Sequence, residues 1–329
     1  MKNFDEIIGQ NHIKEHFQNA ILKNTVNHAY IISGEKSSGK FLLANAFAAA
    51  IQCETKTGKP CMQCRSCKMA MTDNHPDIIK VTHEKPNIIS IDEIRSQLVN
   101  DMYIKPYCSD KKIYIIDEAE KMNLQAQNAL LKTLEEPPSY AVILLITNNV
   151  TTFLDTILSR CVTLSMRPVE TEKIKRVLID EVQLPDYRAS TYANFARGNV
   201  GKAINLSMNE DFLNLKTTIT SLLRNIDEIS TQKIMEYVNG FAEIKDNYEE
   251  ILNLIMMWYR DVAIYKATKS KKRVVFQEEI DAVKKTAFIL SFEDIEKILK
   301  LIEETRKKIK SNVAFELAME ILLVGISHI

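Results

Sequence analysis

Apolar positions in the first half of the chain fall into short uninterrupted runs. In the second half they recur every three or four residues. Ala29–Ser33 reads as a short buried strand, followed by an Ala- and Leu-rich helix over 41–52. Strands are predicted at 77–81, 112–117 and 142–147, with a weaker one at 162–166. Between them, Ser90 and Glu93 have capping-box spacing and open a helix to about residue 100, and a helix over 123–135 is stopped by Pro137 and Pro138. Strands separated by helices imply a parallel sheet covered on both faces. Past Arg167 and Pro168 the pattern changes to short helices with a Gly-containing turn at 197–201. The rest is helical. Phe212, Leu215, Ile219, Leu222, Ile226 and Ile229 share one stripe; Ile251, Leu254, Trp258 and Val262 share another; Ile295, Ile298, Ile302 and Ile309 share a third. Such stripes read as helix-bundle core. The predicted organisation is an α/β domain over 1–167, a small helical domain over 168–208 and an all-α domain over 209–329, with a basic loop at 269–273.

Composition narrows the class. The 329 residues carry 43 Lys+Arg against 43 Asp+Glu, so bulk electrostatics do not suit a protein that coats nucleic acid. A hydrophobic content of 46% is that of an ordinary globular protein, and 7% aromatic residues with only eight glycines lean towards helix. No run approaches the ~18 apolar residues of a membrane span, and the N-terminus is too polar for a signal peptide. These features predict a cytoplasmic protein with reduced thiols, in which clustered cysteines signal a metal before a disulfide.

Two segments then carry candidate chemistry. Gly34-x4-Gly39-Lys40 follows a strand and opens a helix, the setting of a phosphate-binding loop. Such a loop aims backbone N–H groups and a helix N-terminus at phosphates while its Lys neutralises them. The next position normally supplies a Mg²⁺-binding hydroxyl; here it is Phe41. The strand before Asp117 and Glu118 has the form of the second nucleotide-hydrolysis motif, delivering one carboxylate to the metal and the other to water. Separately, Cys53, Cys61, Cys64 and Cys67 form C-x7-C-x2-C-x2-C, which suits a closed, structural four-thiolate Zn²⁺ site, with an iron–sulfur cluster as the alternative. Lys56, Lys59, Arg65 and Lys68 are expected to offset its negative charge. Cys108 and Cys161 stand apart as structural or surface thiols.

Taken together, these features resemble the AAA+ subunits of the bacterial DNA polymerase III clamp loader, over nearly the whole chain. The resemblance rests on Ile7-Ile8-Gly9-Gln10, His28-Ala29-Tyr30, the phosphate loop and the cysteine module. It continues through Asp117-Glu118-Ala119-Glu120, the string from Gln127 to Pro138, and Ser159-Arg160-Cys161. It implies that the second domain is a lid and the third a collar that holds subunits in a ring. It also implies that Arg160 acts in trans as an arginine finger on a neighbour's ATP. A planar, permanent cation suits that task on physical grounds. Motor subunits of the family carry Ser or Thr where this chain has Phe41, and a Gly-x-x-Arg turn where it has Gly198-Asn199-Val200-Gly201 followed by Lys202. Thr147-Asn148-Asn149 falls at the position of a γ-phosphate sensor.

The resemblance therefore implies a catalytically silent branch, with nucleotide binding at Gly34, Gly39, Lys40, Asp117 and Glu118 degenerate and ATP/Mg²⁺ held by the neighbour. The implied partners are gamma/tau-like ATPase subunits, a delta-like subunit, the sliding clamp indirectly, and primed DNA within the assembled complex. Two readings compete. A working ATPase, either a motor subunit or another P-loop enzyme such as a nucleotide kinase, would need a replacement for the missing hydroxyl. A zinc-dependent DNA-binding module is opposed by the balanced charge and by the lack of an aromatic–basic stripe among residues 53–67.

Overall fold

The structure, a computed structural model, describes residues 3–271 and 274–329, so Lys272 and Arg273 of the predicted basic loop lie outside the described residues. The chain forms two compact units, one comprising residues up to Leu184 with Phe195–Ile204, the other Pro185–Asn194 with Asn205–Ile329. No helix among the described residues is long and apolar enough to cross a membrane.

The first unit is built on five parallel strands: β1 (Ala29–Ser33), β2 (Ile78–Val81), β3 (Lys112–Ile116), β4 (Ala141–Thr147) and β5 (Val162–Ser165). Their order is β2-β3-β4-β1-β5, with Ile31 opposite both Leu145 and Thr163. Every position of β1, β3 and β4 is buried, whereas β5 alternates. This is why the three inner strands read as continuous apolar runs and the edge strand read weakly. On one face, Tyr30, Ile32 and Leu144 pack against α1 (Asn11–Leu22) and the Ala-rich α2 (Lys40–Ile51). Phe17 and Phe47 stack there at 3.7 Å between ring centroids, and Tyr30 meets both edge-on. α3 (Arg65–Met71) follows the cysteine segment.

On the other face, Ile31, Tyr114 and Leu145 pack against a second layer. Its first helix, α4 (Ile91–Ile94), has the predicted capping box, and Ser90 N–H donates to Glu93 Oε2 at 2.6 Å. The turn from Arg95 to Val99 then widens to π-helical hydrogen bonding, where one continuous helix was expected. α5 (Leu124–Glu135) starts on Asn123, whose Oδ1 accepts the N–H of Ala126, and ends at Glu136, which leaves helical geometry before the two prolines. α6 (Asp155–Leu158) is a single turn after β4. The predicted short helices beyond residue 170 are α7 (Thr171–Asp180), α8 (Asp186–Phe195) and α9 (Val200–Met208).

The second unit contains α10 (Glu210–Arg224), α11 (Thr231–Ala242), α12 (Tyr248–Thr268), α13 (Ile280–Ile289), α14 (Phe292–Lys310) and α15 (Phe315–Ser327). The 21-residue α12 carries its core: Ile251, Leu254, Trp258 and Val262 are buried, and Trp258 lies 5.7 Å from the Phe276 ring. Two details of the stripes differ from expectation. α10 stops at Arg224, because Asn225 leaves helical geometry, so Ile226 and Ile229 follow the helix rather than extend it. Ile309 is only half-buried.

Candidate functional site

Parallel-sheet proteins gather ligands at the carboxyl ends of their strands. Here β1 ends in the 34–40 loop, β3 in Asp117 and β4 in Thr147 and Asn148. Residues 36–41, Asp117, Glu118, Glu120, Thr147 and Asn148 line a cavity of about 310 Å³. Gly39 caps α2 at φ 92°, a left-handed conformation that a side chain would strain. Of the predicted nucleotide residues, Gly39, Lys40, Asp117 and Glu118 line the cavity, and Gly34 joins them only through its carbonyl contact with Lys40.

The loop is closed on itself. Lys40 is buried, and its ammonium donates to the carbonyl oxygens of Gly34 (2.8 Å) and Glu35 (2.7 Å) and to Asn148 Oδ1 (2.7 Å). An ammonium has three N–H groups, so every donor has a protein acceptor. Burial lowers the Lys40 pKa. Asn148 is pinned in turn, since its amide donates to Glu120 Oε1 at 2.6 Å. The second motif is also diverted. Glu118 sits in left-handed geometry with its carboxylate paired to Lys121 and 3.8 Å from His83 Nε2. Burial raises the pKa of Asp117. The Phe41 ring lies under the Lys80 ammonium at 5.0 Å. The Gly198–Gly201 turn packs directly on the loop. Asn199 donates to Lys36 O at 2.8 Å, and a Cβ at Gly201 would fall 2.2 Å from Ser37 O.

The cysteine cluster is a separate site. The four sulfurs lie within 4.8 Å of one another, and Cys61 Sγ is 3.9 Å from Cys67 Sγ. Zn–S bonds of about 2.3 Å in a tetrahedron place sulfurs about 3.8 Å apart, so the spacing fits. The residues between them turn sharply, with Met62 at φ 62°, and this directs backbone N–H groups at sulfur. Cys61, Cys64 and Cys67 N–H donate to the sulfurs of Cys53 (3.4 Å), Cys61 (3.3 Å) and Cys64 (3.4 Å). The amides of Gln63 and Cys64 lower the Cys61 pKa to about 6, while burial raises that of Cys67. This donor set could hold a metal such as zinc. The expected charge balance is only partly present, because Lys56 pairs with Asp110 (3.0 Å) and Lys59 with Asp5 (2.6 Å). Cys108 is not isolated: its thiol donates to Asp77 Oδ2 at 3.3 Å, near His75. Cys161 packs against the core beside α5.

Arg160 follows α6. Its Nη1 donates to Thr156 O (2.9 Å) and Ser159 Oγ (3.3 Å), and its Nη2 meets Glu135 Oε1 at 2.8 Å. Glu135 and the cross-bridging Gln127 had signalled only as members of a sequence string. The partners that tie them to the segment around α6 lie 25 to 27 residues away, beyond the reach of local periodicity.

Comparison with known proteins gives consistent matches. A family model described as "DNA polymerase III, delta subunit" matches residues 9–170, and one described as "DNA polymerase III, delta subunit, C terminal" matches residues 210–328. The DNA polymerase III subunit delta' of Bacillus subtilis is 31% identical over 310 residues, covering 93% of this chain and 92% of that protein. The subunit tau of the same organism is 27% identical over 85% of this chain, which spans 53% of that longer protein. A DNA polymerase III gamma subunit-related protein of known structure from Thermotoga maritima aligns over 96% of this chain and 98% of its own at 19% identity, with a TM-score of 0.44, a value that adds nothing to the fold already described.

Proposed function

Because this chain belongs to the family of DNA polymerase III clamp-loader subunits that includes the delta' protein, we propose that it is the delta-prime-like, non-motor member of the loader ring. In this reading it binds gamma/tau-like ATPase subunits and a delta-like subunit through its C-terminal helices and works in the cytoplasm. Arg160 reaches a neighbour's ATP and stabilises charge on the γ-phosphate. Closure of the ring then opens the sliding clamp and places it on primed DNA. Cys53, Cys61, Cys64 and Cys67 hold a structural Zn²⁺ that closes the segment after α2 and takes no part in chemistry.

The observation that carries the non-motor assignment is Lys40. A phosphate would have to displace Asn148 or a loop carbonyl to reach its ammonium. The hydroxyl that would hold Mg²⁺ is replaced by Phe41, and Glu118, the candidate for orienting water, is paired with Lys121. None of this affects Arg160, which lies outside the cavity. The test is reconstitution with gamma/tau-like ATPase subunits, with metal analysis of the same sample. The chain alone should show no Mg²⁺-dependent turnover, yet form a stable hetero-oligomer and contain one zinc per chain. Arg160→Ala should assemble normally and lose clamp- and DNA-stimulated ATPase; unchanged ATPase would sink the role.

A further inference from the structure

The structure assigns Glu135 as the positioning residue for the Arg160 guanidinium, which it holds in a fixed orientation before a neighbouring phosphate is met. The inference rests on the proposed role of Arg160, and it starts from how the two side chains are mounted. Glu135 is the last residue of α5, with Glu136 and two prolines fixing where the helix ends. Arg160 follows α6, whose Ile157 and Leu158 pack, with Cys161, into the same core cluster as Leu130 and Leu134 of α5. Gln127, buried on α5, cross-bridges the two segments. Its Nε2 donates to Thr152 O (3.0 Å) and its Oε1 accepts the N–H of Leu154 (3.0 Å). The two mounts are thus one packed piece, and the Glu135–Arg160 contact closes it at its outer edge.

The placement of Glu135 is otherwise unfavourable. A helix C-terminus carries partial negative charge, and two consecutive carboxylates there add to it. Such a spot attracts a cation, and the cation present is Arg160 at 2.8 Å. A free arginine side chain is rotamerically mobile, so ordering it in advance lowers the loss on engagement. The guanidinium is held without being used up. Thr156 O and Ser159 Oγ account for two of its five N–H groups, while Glu135 Oε1 holds Nη2 as an ion pair at 2.8 Å. Among the described residues, Nε makes no hydrogen bond, leaving donors for an incoming oxygen.

The test measures clamp- and DNA-stimulated ATPase of the reconstituted loader containing Glu135→Ala, Glu135→Gln, Arg160→Ala or the Arg160→Ala/Glu135→Ala double variant. The pair is half-exposed, so its effect is modest: Glu135→Ala should lower kcat about two- to fivefold with KM for ATP and assembly unchanged. Glu135→Gln, which still offers an amide oxygen, should recover most of the loss. In the Arg160→Ala background, Glu135→Ala should have no further effect. A rise in ATPase, no change, or an equal loss in both backgrounds would overturn the assignment. If Arg160→Ala itself changes nothing, the proposed function fails; if only the Glu135 variants change nothing, the positioning role alone fails.

Discussion

Lys40 and Arg160 are both cations in sequence strings associated with nucleotide chemistry, and the molecule treats them oppositely. Lys40 is buried, and all three of its N–H groups are engaged by neutral acceptors of its own loop and of Asn148. Arg160 is half-exposed and keeps donors free beside a carboxylate that orients it. A motif residue can persist as a structural tie once its chemical neighbours are gone. Here the missing neighbours are a hydroxyl at position 41 and an unpaired Glu118. The cation that remains available is the one outside the phosphate cavity. On the proposed reading, the same chain looks like an ATPase in sequence and serves a neighbour's ATPase instead.

The largest effect should come from removing the available cation. With Arg160→Ala, turnover at the neighbouring site should fall on the order of 10³-fold, read as phosphate release by the assembled loader. With Lys40→Ala the same assay should move less than about twofold, and comparable losses in both would erase the contrast. A structural metal comes next. Cys67→Ser should abolish stoichiometric zinc and cost roughly 4 kcal/mol or more in stability, measured by denaturant unfolding alongside metal analysis. Full metal content in that variant would remove zinc from the account.

A second buried ionisable group sharpens the comparison. Asp261 on α12 is fully buried, and its Oδ2 accepts the N–H groups of Val275 (2.7 Å) and Phe276 (2.8 Å). Among the described residues, its Oδ1 and Trp258 Nε1 have no partner. Burial raises its pKa to about 6, the opposite of a carboxylate held by a cation. The folded state therefore retains a proton that the unfolded state has already released. The contribution of that proton is complete below about pH 4 and is lost as pH rises through about 6, on the order of 2–3 kcal/mol in total. The wild type should lose that margin over Asp261→Asn between pH 4 and 7, read as the difference in Tm. A constant difference would show that this charge, like Lys40, is fully satisfied. The smallest effect is expected from Phe41→Thr. Restoring the hydroxyl leaves Lys40 and Glu118 engaged, so Mg²⁺-dependent turnover by the purified chain should stay at background. Measurable turnover would mean that the hydroxyl alone silences the loop.

Much of the architecture was legible along the chain because its signals are local. The inner strands are apolar at every position since both faces are covered, and Ser90 with Glu93 marks a helix start by spacing alone. The thiolate cluster was legible for the same reason, its four ligands falling within fifteen residues. What escaped depends on contacts between distant segments. The engagement of Lys40 needs Asn148, 108 residues away, and the orientation of Arg160 needs Glu135 from another helix. Lys56 and Lys59 were read as neighbours of the thiolates, but their ammonium groups reach Asp110 and Asp5. The end of α10 at Arg224 was missed because apolar spacing continues past the helix.

The central claim is that the chain's own phosphate loop is closed by its own groups, and calorimetric titration of the purified chain with Mg²⁺·ATP tests it most directly. No saturable binding is expected below about millimolar nucleotide, a free energy weaker than roughly −4 kcal/mol. Saturation at micromolar ATP would contradict it, since Lys40 would then be releasing Asn148 to hold a phosphate.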